Sequence, residues 1–134
     1  MGTLRIISQS SERFIDRQEA GRLVAAYLKD LKGQNAVVLG IPRGGVVVAR
    51  ELARQIDAEM DIVLSRKLRT PGHWELAMGS VAENGKVFLN DSVVQELGIS
   101  KALIEQETQL QLAEIARRAA MVRKVRQKIP LGGR

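Results

Sequence analysis

The chain has 134 residues, 45% of them hydrophobic, which suits one domain with a continuous core and excludes intrinsic disorder; no apolar run approaches the roughly 18 residues of a membrane span. It contains no Cys and one His, so disulfide frameworks, thiolate or His-based metal centres and cysteine nucleophiles are excluded. The first residues do not read as a secretory leader, and a reduced cytoplasm is the expected compartment. The net charge of +6 resides in residues 117–134, which hold seven basic residues and no acid, against 14 basic and 15 acidic residues before them.

Asp16 followed by Glu19 forms a helix start, the carboxylates accepting from the first free N–H groups. Ala20, Leu23, Val24, Tyr27, Leu28 and Leu31 continue as one apolar stripe to Gly33, predicting an amphipathic helix over residues 16–32. The unbroken apolar run over residues 36–41 predicts a strand buried on both faces, as in parallel sheets. Beyond the turn Pro42-Arg43-Gly44-Gly45, Val48, Leu52 and Ile56 repeat at helical spacing with Ala49 and Ala53 beside them. Residues 61–66 read as the next strand, which closes a β-α-β unit. Residues 67–74 carry turn formers and no period, so a mobile, exposed loop is expected. Segments 76–82 and 86–89 flank Asn84-Gly85, predicting a hairpin whose two central residues both take positive φ. A short helix over 91–97 stops at Gly98, and Ser100 caps a long one ending near Arg126, before Pro130, Gly132 and Gly133.

The turn Gly40-Ile41-Pro42-Arg43-Gly44-Gly45-Val46 has the makings of an anion site. Its glycines let backbone N–H groups face an oxygen, the following helix adds its positive end, and Arg43 is a forked donor. A pyrophosphate would use all three. No Gly-Lys-Ser/Thr follows, and Gly-x-Gly-x-x-Gly is missing, so neither a P-loop nor a dinucleotide fingerprint is present. The plainer alternative is a tight turn that needs glycine for its backbone alone. Arg66 and Lys67 close the second predicted strand, and β-α-β geometry puts them at the same carboxyl-end edge as Arg43, although a solvated strand end also explains them. The loop after them would carry Arg69 and His73 over a ligand and exclude water. A surface position is the plainer reading of His73, and packing that of Trp74. Ser80 lies outside any Gly-x-Ser-x-Gly, and no two acidic residues are adjacent anywhere. The basic block fits either a solvated helix end or a polyanion-binding surface, and it holds no aromatic residue for base stacking.

As an ordered set, Phe14-Ile15-Asp16-Arg17-Gln18-Glu19-Ala20-Gly21-Arg22, Gly40-Ile41-Pro42-Arg43-Gly44-Gly45-Val46, Arg66-Lys67-Leu68 and Glu75-Leu76-Ala77-Met78-Gly79-Ser80-Val81-Ala82-Glu83 resemble the type I phosphoribosyltransferases of bacteria and archaea. The likeness runs on through Leu89-Asn90 and Arg117-Arg118 to Pro130-Leu131-Gly132-Gly133-Arg134. The resemblance implies an α/β fold: an incomplete Rossmann-like parallel sheet with a β-hairpin hood element and a long C-terminal helix. Residues 1–134 would form one domain, with 117–134 as its basic helix end and tail. It implies transfer of ribose 5-phosphate from phosphoribosyl pyrophosphate (PRPP) to a nitrogenous base, with release of pyrophosphate and Mg²⁺ as cofactor. By the same resemblance Pro42, Arg43, Gly44 and Gly45 hold the pyrophosphate, and Arg66, Lys67, Arg69 and His73 belong to the catalytic loop. Family members continue into an apolar strand ending in two adjacent acidic residues, a pair this sequence lacks. The chain is therefore expected to stop short of the ribose, 5-phosphate and metal contacts, to be weak or inactive alone, and to form a homo-oligomer through its long helix or its open sheet edge. The reading from another class is a non-catalytic module that binds RNA or another polyanion, or dimerises, through residues 117–134.

Overall fold

The computed structural model describes residues 2–134. Helix α1 (Arg17–Ala26) starts as the sequence predicts: Asp16 Oδ1 accepts from Glu19 N at 2.8 Å, and Glu19 Oε2 accepts from Ile15 N at 2.5 Å. The helix is shorter than the apolar stripe predicts. Tyr27 N and Leu28 N donate back to Val24 O and Ala25 O at 3.0 Å, and the chain tightens into a 3₁₀ turn at Lys29–Leu31.

The β-α-β unit is present as strand β1 (Val37–Gly40), helix α2 (Gly44–Gln55) and strand β2 (Glu59–Ile62), with the strands parallel and Gly40 opposite Ile62. The second strand lies a little earlier than residues 61–66, because Asp57 at φ +53° turns the chain immediately after α2. Strand β1 is not buried on both faces. Leu39 is 43% exposed, since among the described residues β2 is the only strand paired with β1 and the basic tail only partly covers that face. The opposite side packs well: Ala25 of α1 and Ala49, Ala53 and Ile56 at α2 are buried, with Ala49 set against Gly40 of β1. A Cβ on Gly21 would stand 2.8 Å from Val48 O and 2.7 Å from Glu51 Cβ, so only glycine lets the two helices approach this closely.

Residues 67–74 are not a mobile loop. They complete strand β3 (Ser65–Thr70) and open strand β4 (His73–Ala82), joined by Pro71-Gly72. Leu64, Leu68 and Thr70 fall on the buried side of this strand, a period-two pattern that the charges of Arg66, Lys67 and Arg69 conceal in the sequence. The predicted hairpin joins β4 to β5 (Val87–Leu89), but its turn differs from expectation. Gly85 takes φ +85° whereas Asn84 does not have positive φ, and Gly85 N donates to Ala82 O at 2.9 Å. This is a three-residue loop ending in a left-handed glycine, and the Asn84 side chain accepts from Lys86 N at 3.0 Å.

Helix α3 (Asp91–Glu96) and helix α4 (Lys101–Val125) follow as predicted, with Ser100 Oγ accepting from Leu103 N at 3.2 Å. The principal core lies between the antiparallel sheet and these helices: Leu64, Leu68, Met78 and Val81 against Val93 and Ile115. Burial of side chains such as Leu68 and Met78, both at 0% exposure, contributes about 1.5–3 kcal/mol each. Among the described residues no helix is long and apolar enough to cross a membrane.

Candidate functional site

The turn after β1 is built around a close approach of strand and helix. A Cβ on Gly40 would stand 2.8 Å from Ala49 Cβ and 3.1 Å from Val46 Cα, so glycine here lets α2 turn back tightly onto the strand. Arg43 occupies the N-cap of α2 and the Pro42–Arg43 peptide is cis. No side chain among the described residues caps this helix end, and its first turn contains no acidic residue. The N–H groups at Gly44 and Gly45 thus stand at an uncompensated positive helix terminus, beside an exposed Arg43 that makes no ion pair among the described residues. A second guanidinium adjoins the turn. Arg17 Nε lies within contact distance of the point where a Gly44 Cβ would be, with Cζ and Nη2 at 3.0 Å. Sequence reasoning assigns Arg17 no role, and nothing local to it could do so, because the contact depends on how α1 packs against α2.

The root of β3 leaves from the same edge. Val63 N donates to Gly40 O at 3.0 Å, so the chain passes the carboxyl end of β1 and enters β3 two residues later. The cations on β3 then diverge. Arg66 Nε donates to Gln111 Oε1 of α4 at 2.9 Å, while exposed Lys67 alternates to the other face of the strand. Arg69 pairs with Glu107 of α4 at 3.1 Å and lies 5.2 Å from the centre of the Trp74 ring. His73 is exposed at the hairpin end, opposite Thr70. Arg66 and Arg69 therefore rest against α4, and the cation that meets Gly44 is Arg17.

Four of the seven C-terminal cations are paired within the fold, and Lys124, Arg126 and Lys128 make no ion pair among the described residues. Arg117 and Arg118 both bind Glu114, at 2.7 and 2.8 Å, and their hydrogen bonds push its carboxyl down to about 2. Arg123 Nη1 donates to Asp61 Oδ1 at 2.7 Å, and Arg134 meets Glu59 at 2.6 Å. Asp61, 3% exposed, also accepts from Ile62 N at 2.7 Å and from Ile129 N at 3.0 Å. Burial acts to raise its carboxyl, but the Arg123 hydrogen bond and the two N–H donors outweigh it and hold the group below its ordinary value. The tail is thereby clipped onto β2. An acid inside the strand-like run Glu59-Met60-Asp61-Ile62-Val63-Leu64 was the available signal for such a buried pair.

No group of three or more His, Cys, Asp or Glu side chains comes together to hold a metal ion among the described residues. These residues do not build a cage for the Mg²⁺ that the family resemblance implies.

The family model for the phosphoribosyl transferase domain matches residues 13–121. Two Mycobacterium tuberculosis proteins that carry a provisional phosphoribosyl transferase name are each 45% identical over 121 residues, covering 90% of this chain. The chain spans 27% of the length of these curated relatives. The crystal structure of TT1426 from Thermus thermophilus superposes with a TM-score of 0.69 at 42% identity, over 88% of this chain and 56% of that one.

Proposed function

The chain belongs to the phosphoribosyl transferase domain family, and from that premise we propose that it serves the transfer of ribose 5-phosphate from PRPP to a nitrogenous base, with Pro42, Arg43, Gly44 and Gly45 holding the departing pyrophosphate. In this reaction the bond between the ribose carbon and the diphosphate breaks as a bond from that carbon to the base nitrogen forms, so negative charge grows on the leaving group. Preorganised donors aimed at that charge lower the barrier most. The observation that carries the reading is the uncapped start of α2, with two glycines and Arg43, at the carboxyl edge of a parallel β-α-β unit. Backbone N–H groups supply fixed donors there, and the Arg43 fork supplies charge.

Arg66, Lys67, Arg69 and His73 take supporting parts. Lys67 is exposed and makes no ion pair among the described residues, so it is the β3 cation best able to reach a phosphoryl oxygen without breaking an existing bond. Arg66 and Arg69 would first exchange their α4 partners.

The polyanion-binding reading is narrowed by the geometry to Lys124, Arg126 and Lys128, because Arg117, Arg118, Arg123 and Arg134 are engaged by carboxylates of the same chain. The test is calorimetric titration with inorganic pyrophosphate. The wild-type chain takes up pyrophosphate, and Arg43→Ala weakens binding by about tenfold or more, the worth of one charge-assisted contact. Unchanged affinity in Arg43→Ala would remove the turn from the reading.

A further inference from the structure

We propose that Arg17 is a second guanidinium ligand of the diphosphate, delivered to the turn from α1; this rests on the pyrophosphate reading above and extends it to a residue outside the turn. The pairing of Arg17 with Gly44, and of Gly21 with Val48 and Glu51, shows that α1 and α2 lie side by side and run in the same direction. Their N-termini therefore adjoin. Each helix start carries a positive partial charge, and cations are favoured at the opposite ends of helices. The fold nevertheless places Arg17 in the first position of α1 and Arg43 at the N-cap of α2.

At α1 this charge is partly offset by Asp16 at the N-cap and Glu19 in the first turn, whereas the first turn of α2 contains no acidic residue. The carboxylates nearest in sequence are occupied: Asp16 accepts from Glu19 N, and Glu19 accepts from Ile15 N. Glu51 lies further along α2, where Arg54 and Gln55 engage it. Arg17 itself makes no ion pair and no side-chain hydrogen bond among the described residues, and it is exposed. Beside it opens a cavity of about 890 Å³, bordered by Arg13, Asp16, Gln18 and Val47. Arg17 set against Gly44, beside the uncapped start of α2 and the exposed Arg43, forms an arrangement that a bound polyanion relieves. The missing side chain of Gly44 is what lets Arg17 come this near, since a Cβ there would overlap its guanidinium. A diphosphate has the charge and length to meet both arginines, with Arg43 and Arg17 on different oxygens.

The experiment compares wild type, Arg17→Ala, Arg17→Lys and Arg43→Ala by calorimetric titration with inorganic pyrophosphate at two salt concentrations, alongside ligand-free melting. Arg17→Ala is expected to weaken binding by about tenfold and to reduce its salt dependence. It is also expected to leave the ligand-free melting temperature unchanged or raised, because a cation is removed from two positive helix ends. Arg17→Lys keeps the charge without the fork and falls between the two. Affinity within about twofold of wild type in Arg17→Ala, with Arg43→Ala weakened, overturns the role of Arg17 and leaves the pyrophosphate reading standing. No uptake by wild type overturns both. Should Arg17→Ala fail to fold, Arg17→Gln, which keeps the stem over Gly44, is titrated instead, and wild-type affinity there is equally fatal to the proposal.

Discussion

Replacing Asp61 by Asn tests whether the C-terminal tail is clipped onto β2 by a buried ion pair. The Asp61 side chain is 4% exposed and that of Arg123 is 24% exposed. Removing one member of a buried pair costs about 3–5 kcal/mol when the remaining charge is trapped. Arg123 can recover part of its hydration, and Asn keeps one acceptor for a backbone N–H, so a loss of about 2–3 kcal/mol is expected. With an unfolding entropy of roughly 0.28 kcal/mol per kelvin for a chain of this length, the melting temperature should fall by about 7–11 °C at neutral pH. The loss is measured by thermal and urea unfolding, and hydrogen exchange at the Ile129 amide reports release of the tail directly, because that N–H donates to Asp61. The pH dependence has a definite sign. The Asp61 carboxyl is held below its ordinary 3.8, so its contribution is present above that pH and drains away as the pH falls through the folded value. Asp61→Asn should therefore flatten part of the acid limb of the stability curve. A change below about 0.5 kcal/mol, with the Ile129 amide as protected as before, would refute the clip.

Gly40→Ala places a methyl group 2.8 Å from Ala49 Cβ, which must push α2 off β1; a loss of about 1–3 kcal/mol by urea unfolding and weaker pyrophosphate uptake should appear together, since the same displacement moves the turn. Gly79→Ala drives a Cβ into the Phe88 carbonyl and should disrupt pairing of β4 with β5, seen as loss of amide protection in β5 at a cost of about 2 kcal/mol or more. The Glu114 carboxyl should titrate at about 2 by NMR, and the double variant Arg117→Ala, Arg118→Ala should return it toward 4.5. Its contribution to stability is accordingly present above pH 4.5 and lost as the pH falls toward 2.

What the sequence made legible is what local chemistry decides. Asp16, Glu19 and Ser100 act through groups three or four residues away, so the starts of α1 and α4 could be read directly. The apolar run before Gly40 and the spacing of Val48, Leu52 and Ile56 likewise specify a strand and a helix with a short turn between them, and the anion-site motif came with that turn. Residues 67–70 were misread because strand alternation there is carried by Leu68 and Thr70 alone, and because no local pattern shows that α4 offers Gln111 to Arg66 and Glu107 to Arg69 as partners. Those partners lie 45 and 38 positions away, beyond any local pattern.

The same distance explains the charge. Counted along the chain, residues 117–134 are a block of seven cations inviting a polyanion. In the fold, Asp61 and Glu59 reach Arg123 and Arg134 across 62 and 75 positions, and Glu114 holds Arg117 and Arg118 from the preceding turn of α4. Arg17 and Arg43 show the converse: they are 26 positions apart, unremarkable in composition, and brought to one end of two parallel helices without an ion pair among the described residues. Net charge along a sequence therefore does not by itself locate a ligand site in this molecule. Among the cations that the fold leaves without an ion pair, Arg17 and Arg43 are the two that stand at the turn after β1.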